Sequence, residues 1–247
     1  MTYVNMQNIE HITIAGAGAT GSYLTNFLTR NLKALNISNI DVTIVDFDIV
    51  EEKNLNNQNF IAKDVGKNKA ECIAKRYSIV YPNLYFYKNK IEKFLFDTRL
   101  DKSIIVLCVD NWKTREAVYE ICNNKNENEC IIVDTGVHEE GGQVLLYPIY
   151  PYLHSSKHIF LGTHKVIPWH IKIANKKKSN ATCTNGILPI WNIMAASIAT
   201  NYIINVIKKI SIKYLAIFFG KEYKMYNVKE FLAMMKLFDQ NKELEDA

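Results

Sequence analysis

Arginine is scarce in this chain. Of the 30 basic side chains among 247 residues, only Arg30, Arg76, Arg99 and Arg115 are arginines. The lysines are scattered, so the net charge of +5 gives no continuous track for nucleic acid, and none is expected as a partner. The densest run, Lys176 to Lys178, reads as a solvated loop. The five cysteines, Cys72, Cys108, Cys122, Cys130 and Cys183, contain no CxxC pair. That excludes the usual Cys-rich zinc site, so no zinc is expected. HExxH is also missing. His154 and His158 lie four residues apart, but Pro151 argues against a helix there. The first ten residues lack a basic segment followed by an apolar core. With an odd cysteine count, this points to a reducing, cytoplasmic setting. One uncharged stretch, Ile187 to Ile207, is long enough to span a bilayer. It holds Pro189, Asn192, Asn201 and Asn205 and has no basic flank at its start, so it reads as a buried helix and no membrane is expected.

What is present is ordinary soluble composition, with 48% hydrophobic and 22% charged residues and no repeats. The first half alternates strand and helix signals, which predicts a parallel sheet with helical crossovers. Strands are expected at His11–Ala15, Val42–Val45, Leu84–Tyr87, Ser103–Val109, Ile131–Val133 and Gln143–Tyr147. Helices are expected over Thr20–Leu35, Lys67–Val80 and Trp112–Cys122. A long irregular stretch over 150–184 follows, with four histidines, and then an apolar helix over Gly186–Lys208. A closing hairpin, Tyr214–Phe219 with Tyr223–Val228, and a terminal helix from Lys229 complete the chain. The predicted class is α/β: a Rossmann-like, three-layer domain whose mostly parallel sheet is extended by antiparallel C-terminal strands.

Gly16-Ala17-Gly18-Ala19-Thr20-Gly21 fits GxGxxG between a strand and a helix. Such glycines allow a tight turn and close backbone approach to phosphate, at a helix N-terminus with free N–H groups. Asp46 ends the next strand, where a carboxylate can accept from ribose hydroxyls. A turn made only for packing is the competing reading. These two elements do not separate a nicotinamide dinucleotide from ATP.

The sequence after Asp46 leans towards ATP. Polar amides and a lysine surround the phosphate end of the turn, and a lysine at a helix start can reach phosphate oxygens. Asp110 sits at the carboxyl end of a buried central strand, where doubly wound sheets bind ligands. A lone carboxylate there suits Mg²⁺, which shares substrate phosphates. The stretches GAGATG at 16–21, DFDIVEEKNLNNQ at 46–58, GKNKA at 66–70 and DNWKTR at 110–115 resemble the ThiF/MoeB/ubiquitin-activating (E1-like) superfamily, in the family's order and with similar gaps. Within it, the length and the missing CxxC pairs look most like the ThiF-family protein of PRTRC-type mobile elements.

The resemblance implies ATP-dependent adenylation of the C-terminal carboxylate of a small ubiquitin-like β-grasp protein ending in glycine, usually by a homodimer. By position, Gly16, Ala17, Gly18 and Gly21 would cradle the nucleotide and Asp46 would hold the ribose. Asp48 and Asn54 would shape the pocket beside the phosphates, with Asn57, Gln58 and Asn111 lining it. Lys69 would neutralise the triphosphate, Asp110 would hold Mg²⁺ and Arg115 would brace the site. The same resemblance implies one ThiF-type domain over 1–247. Its parts would be a nucleotide-binding half over 10–148, a crossover loop over 149–185 and a C-terminal helix and strands over 186–247.

The chain departs from this pattern at the residue where it is shortest of supply. The family reads N-x-x-R-Q, and its arginine contacts the phosphates; here that position is Asn57, and residues 1–10 contain no arginine either. Lys53, Lys63 or Lys67 could substitute, without the bidentate fork. Cys183, in Ala181 to Gly186, is a candidate acceptor for the activated acyl group or for sulfur, against the plain reading of a small packing residue. The competing functions are a weakly active or inactive nucleotide-binding scaffold and, more remotely, an NAD-dependent oxidoreductase.

Overall fold

In the computed structural model, residues 8–124, 130–138, 141–149, 188–210, 215–219 and 222–226 are described. The chain begins with two strand–helix–strand units in parallel pairing. They run β1 (His11–Ala15), α1 (Ala19–Ala34), β2 (Asp41–Val45), α2 (Lys69–Tyr77) and β3 (Leu84–Tyr87). Next come α3 (Ile91–Asp97), β4 (Ser103–Leu107), α4 (Trp112–Asn124), β5 (Cys130–His138) and β6 (Gly141–Ile149). Helix α5 (Pro189–Ile207) and the hairpin β7 (Leu215–Phe219) and β8 (Glu222–Tyr226) follow.

All eight strands form one sheet in the order β3-β2-β1-β4-β5-β6-β7-β8. β3 to β5 pair in parallel, and β5 onward is antiparallel. The strand order reverses between β1 and β4. Their carboxyl ends diverge to opposite helices there, which leaves a crevice in an open α/β sheet.

The two faces are covered by different helices. In β4, Ile104 and Val106 point into a core with Leu24, Leu28 and Leu32 of α1, Ile73 of α2 and Ala195, Ala199 and Ile203 of α5. The alternate residues Ile105 and Leu107 point into a core with Leu95 of α3 and Val118, Tyr119 and Cys122 of α4. β4 is fully buried on both faces, as its unbroken apolar run requires. Helix α5 is long and apolar enough to cross a membrane by length and composition. Here it packs against α1, and its small residues Ala195, Ala196 and Ala199 lie wholly buried in the shared core.

Some expectations shift. Helix α2 starts at Lys69 because Asn68 caps it, its side chain accepting from the Glu71 N–H at 3.0 Å. β5 is three times the length read from Ile131–Val133, since pairing with β6 extends it to His138. Helix α3 is not among the expected elements; Ile91, Phe94 and Leu95 pack on the core at helical spacing, but over only seven residues. The 150–184 loop and the helix from Lys229 lie outside the described residues.

Candidate functional site

The glycine turn links β1 to α1 at the crevice. Gly16 has φ +94°, and a Cβ there would lie 2.8 Å from the Cys108 carbonyl oxygen. Gly21 packs so tightly that a Cβ would lie 1.9 Å from the Gly16 oxygen. Both positions exclude any side chain on internal grounds. Gly18 is different. It stands at the N-cap of α1 with no side-chain cap, and its nearest surroundings, the Gln58 amide atoms, are 4.0 Å from where a Cβ would be. A Cβ there would make only ordinary van der Waals contact, so internal packing does not require glycine at this position.

Asp46 ties the turn to β2. Its Oδ2 accepts from the Ala17 N–H at 2.6 Å and its Oδ1 from the Asp48 N–H at 2.8 Å. Burial raises the Asp46 pKa above the ordinary carboxylate value, opposed by those two hydrogen bonds and by the Lys69 charge. Lys69, the first residue of α2, is buried to 7% exposure and donates to Asp48 Oδ2 at 3.1 Å. Asn68 donates to the carbonyls of Asp46 and Asp48, both at 3.0 Å, so α2 is pinned to the end of β2.

Between β2 and α2 the chain makes two short 3₁₀ turns, Glu52–Asn56 and Ala62–Asp64. Asn54 is buried, and its Oδ1 accepts from the Glu51 N–H at 2.8 Å, closing the first turn. Asn57 and Gln58 follow, both buried. The Oε1 of Gln58 has no hydrogen-bond partner, a costly state for a buried polar atom. Across the crevice Asp110 is exposed. The Asn111 side chain accepts from the Thr114 N–H at 2.8 Å and so caps α4. Arg115 is buried behind them, paired with Asp134 and donating to the carbonyls of Val109 and Thr135.

The structure therefore gathers Gly16, Ala17, Gly18, Gly21, Asp46, Asp48, Gln58 and Lys69 through direct contacts, with Asn54 and Asn57 on the same segment. Asp110, Asn111 and Arg115 stand at the end of the neighbouring strand β4. Among the described residues no group of three or more His, Cys, Asp or Glu could hold a metal ion by itself. Cys108, expected in mid-strand, instead lies just past β4, half-buried beside the glycine turn. Burial pushes its thiol pKa up to about 11, which suppresses the thiolate. Cys183 lies outside the described residues, as do the histidines over 154–170. Lys53 is exposed and pairs with Glu51 at 2.9 Å; Lys63 and Lys67 are exposed. The sequence reading passed over Asn68, Asn59, Ser22 and Arg76. For Asn68 a signal existed, an asparagine three residues before Glu71 at a helix start.

Residues 4–244 match the ThiF family. The chain belongs to the ThiF family. It is similar to ubiquitin-like modifier-activating enzyme 5 of Culex quinquefasciatus. The two are 27% identical over 134 residues, which cover 48% of this chain and 32% of that one. The enzyme of the same name from Dictyostelium discoideum is 27% identical over 135 residues, covering 49% and 34%. This ThiF-family chain thus matches about a third of the length of those curated relatives. Among solved structures, E. coli MccB with AMPCPP and MccA superposes with TM-score 0.61 at 22% identity, over 88% of this chain and 62% of that one. E. coli MccB with ATP gives TM-score 0.58 at 22% identity, over 88% and 63%. At that identity the likeness establishes the fold: a Rossmann-like sheet, mostly parallel, with the antiparallel β5–β6 pair.

Proposed function

We propose that this chain binds ATP in the crevice between β1 and β4 and adenylates the C-terminal carboxylate of a ubiquitin-like β-grasp protein or peptide. The observation that carries this is a glycine at position 18 that internal packing does not require. Internal packing accounts for Gly16 and Gly21 but leaves Gly18 unexplained. A phosphate seated at the N-terminus of the 16-residue helix α1 supplies the reason. Gln58 flanks the same position with a buried, unpartnered amide oxygen. Rotating that amide by half a turn offers its NH₂ group to a phosphate oxygen.

In this reading Gly16, Ala17, Gly18 and Gly21 line the phosphates, Asp46 accepts from the ribose, and Asn54, Asn57 and Gln58 close one wall. Lys69 leaves Asp48 to meet the triphosphate. Asn111 orders the start of α4 and Arg115 braces the end of β4. The carboxylate oxygen attacks the α-phosphorus, the bond from that phosphorus to the α,β-bridging oxygen breaks, and pyrophosphate leaves. The chain's contribution is positioning and charge stabilisation.

Among the described site residues the cations are Lys69 and Arg115, and Arg115 is paired with Asp134, which leaves Lys69 against three carboxylates, Asp46, Asp48 and Asp110. A triphosphate in that balance calls for a divalent cation, and Asp110 together with phosphate oxygens suits Mg²⁺. When bound, Mg²⁺ would offset charge on the departing pyrophosphate.

The finer parts of the proposal are these. The chain is nearest the PRTRC-type members and works as a homodimer in the cytoplasm. The Cys183 thiol attacks the acyl adenylate to form a thioester as AMP leaves, the intermediate from which conjugation or sulfur transfer would proceed; Cys183→Ala should spare adenylation and abolish a reducible conjugate. Asn57 favours a second reading, a scaffold that binds nucleotide without turnover.

Gly18→Ala tests the main claim. It should fold with an unchanged melting temperature yet lose ATP affinity and ATP–pyrophosphate exchange with the cognate partner. Full exchange by that variant would sink the claim. Intact ATP binding by the wild type without exchange would favour the scaffold. Tight NADH binding without ATP binding would replace both with an oxidoreductase.

A further inference from the structure

Two of the four arginines make the same kind of contact on opposite sides of the crevice. Arg115 pairs with the fully buried Asp134 and donates to the carbonyls of Val109 and Thr135, which fixes the segment leading to Asp110. Arg76, near the end of α2, pairs with Asp64, itself 5% exposed, and donates to the carbonyl of Asn59. Asn59 directly follows Gln58. The Asp64 Oδ2 also accepts from the Ile61 N–H at 3.0 Å, so one guanidinium spans both ends of the short segment 59–64.

Asn59 is held on its other sides as well. Its N–H donates to Ser22 Oγ at 3.0 Å, in the first turn of α1. Its Nδ2 donates to the Tyr77 hydroxyl at 2.8 Å, on α2. Residues 57–61 have no helix or strand ladder of their own. Within them the Asn57 and Gln58 N–H groups reach back to the Asn54 carbonyl and the Phe60 N–H to the Gln58 carbonyl, and the contacts at Asn59 supply the ties to α1 and α2. Arg76 supplies the charge-assisted share, which is roughly twice as strong as a neutral hydrogen bond.

We propose that Arg76 is a positioning residue for nucleotide binding: by clamping the Asn59 carbonyl to Asp64 it holds the Asn57–Gln58 arm against Gly18. This rests on the nucleotide reading of the site. Arg76 does not act as a phosphate ligand, since its charge is taken by Asp64. The arm is thus made rigid where it lacks a cation of its own, and an amide held in place substitutes for reach and charge.

A double-mutant cycle read by calorimetric MgATP binding tests this. Wild-type protein is titrated first; no binding there removes the nucleotide reading and this inference with it. Given wild-type binding, Arg76→Gln should weaken MgATP affinity about tenfold. Arg76→Lys should lose less, because an ammonium reaches one partner without the fork. In exchange assays the KM for ATP should rise while kcat at saturating ATP is retained. In a Gln58→Ala background the Arg76 substitutions should cost little more, because the amide they position is gone. Losses that add fully in the double variants, or Arg76 variants that bind as tightly as wild type, would overturn the proposal. Should Arg76→Gln fail to fold, Arg76→Lys carries the same cycle, with ATP-dependent melting shifts as the readout.

Discussion

Lys69 Nζ lies 3.1 Å from Asp48 Oδ2, a pair with a buried cation and a carboxylate that is half exposed. The Lys69 N–H also donates to the Asp48 carbonyl at 2.9 Å, so the pair is tied at both backbone and side chain. The lysine is thereby held at the mouth of the crevice rather than spread into solvent. Its solvent-screened partner makes the ion pair worth little to stability, so its charge is available to a ligand at low cost. Lys69→Ala is expected to shift the melting temperature only slightly and to slow ATP–pyrophosphate exchange by about 10²–10³, the usual effect of removing a charge-stabilising group. Exchange within a few-fold of wild type would show that Lys69 does not meet the triphosphate.

Asp46 gives a pH signature. Its raised pKa means that the folded chain takes up this proton more readily than the unfolded chain. Ionised Asp46 therefore costs stability above the raised pKa, and that cost disappears as pH falls through it. Ligand binding runs the other way, because a protonated carboxyl is a poorer acceptor for ribose hydroxyls. ATP affinity should fall on acidification at a pH above the ordinary aspartate value of about 3.9. The neighbouring Asp48 pushes this step upward and Lys69 pushes it down. Calorimetric affinities across the acid range should show the step in wild type, and it should vanish in Asp46→Asn.

Asp110 is exposed and stands at the end of the β4 segment. Its replacement by alanine should change stability by no more than about 0.5 kcal/mol, as for most surface positions. Magnesium-dependent exchange should nevertheless fall by at least about a hundredfold. Unchanged exchange at limiting Mg²⁺ would remove the metal role.

Asn57→Arg supplies the charge that the family resemblance implies at this point. Because Asn57 is buried to 5% exposure, the larger side chain should cost about 1–3 kcal/mol of stability. In a chain of this size that lowers Tm by about 2–10 °C. Exchange should accelerate if charge limits turnover. A destabilised variant with no gain in exchange would point to compensation by a lysine.

Much of the site was legible in the linear sequence because its residues fall in short runs. A turn such as Gly16 to Gly21 is a local object, and its glycines are dictated by contacts within reach of a few residues, as between Gly21 and the Gly16 oxygen. The strands were legible for the same reason, since the unbroken apolar run of β4 reports burial on both faces. Helix α3 was not, because its core contacts at Ile91, Phe94 and Leu95 span little more than one turn and the apolar Phe96 beside them is exposed. The full length of β5 was hidden because β6 decides it by pairing.

The arginines show the limit most clearly. Their scarcity and the asparagine at position 57 are facts of sequence, and they defined where charge is missing. What Arg76 does could not be read there. Its partners, Asn59 and Asp64, lie 17 and 12 residues away in the chain. They meet it only because α2 packs beside α1 and returns its last turn to the segment between the two 3₁₀ turns. The sequence alone determined the family, the order of the strands' chemistry and which side chains are available. The tertiary structure decided which of them are held, since a half-buried guanidinium takes the carbonyls and carboxylates that packing places within reach.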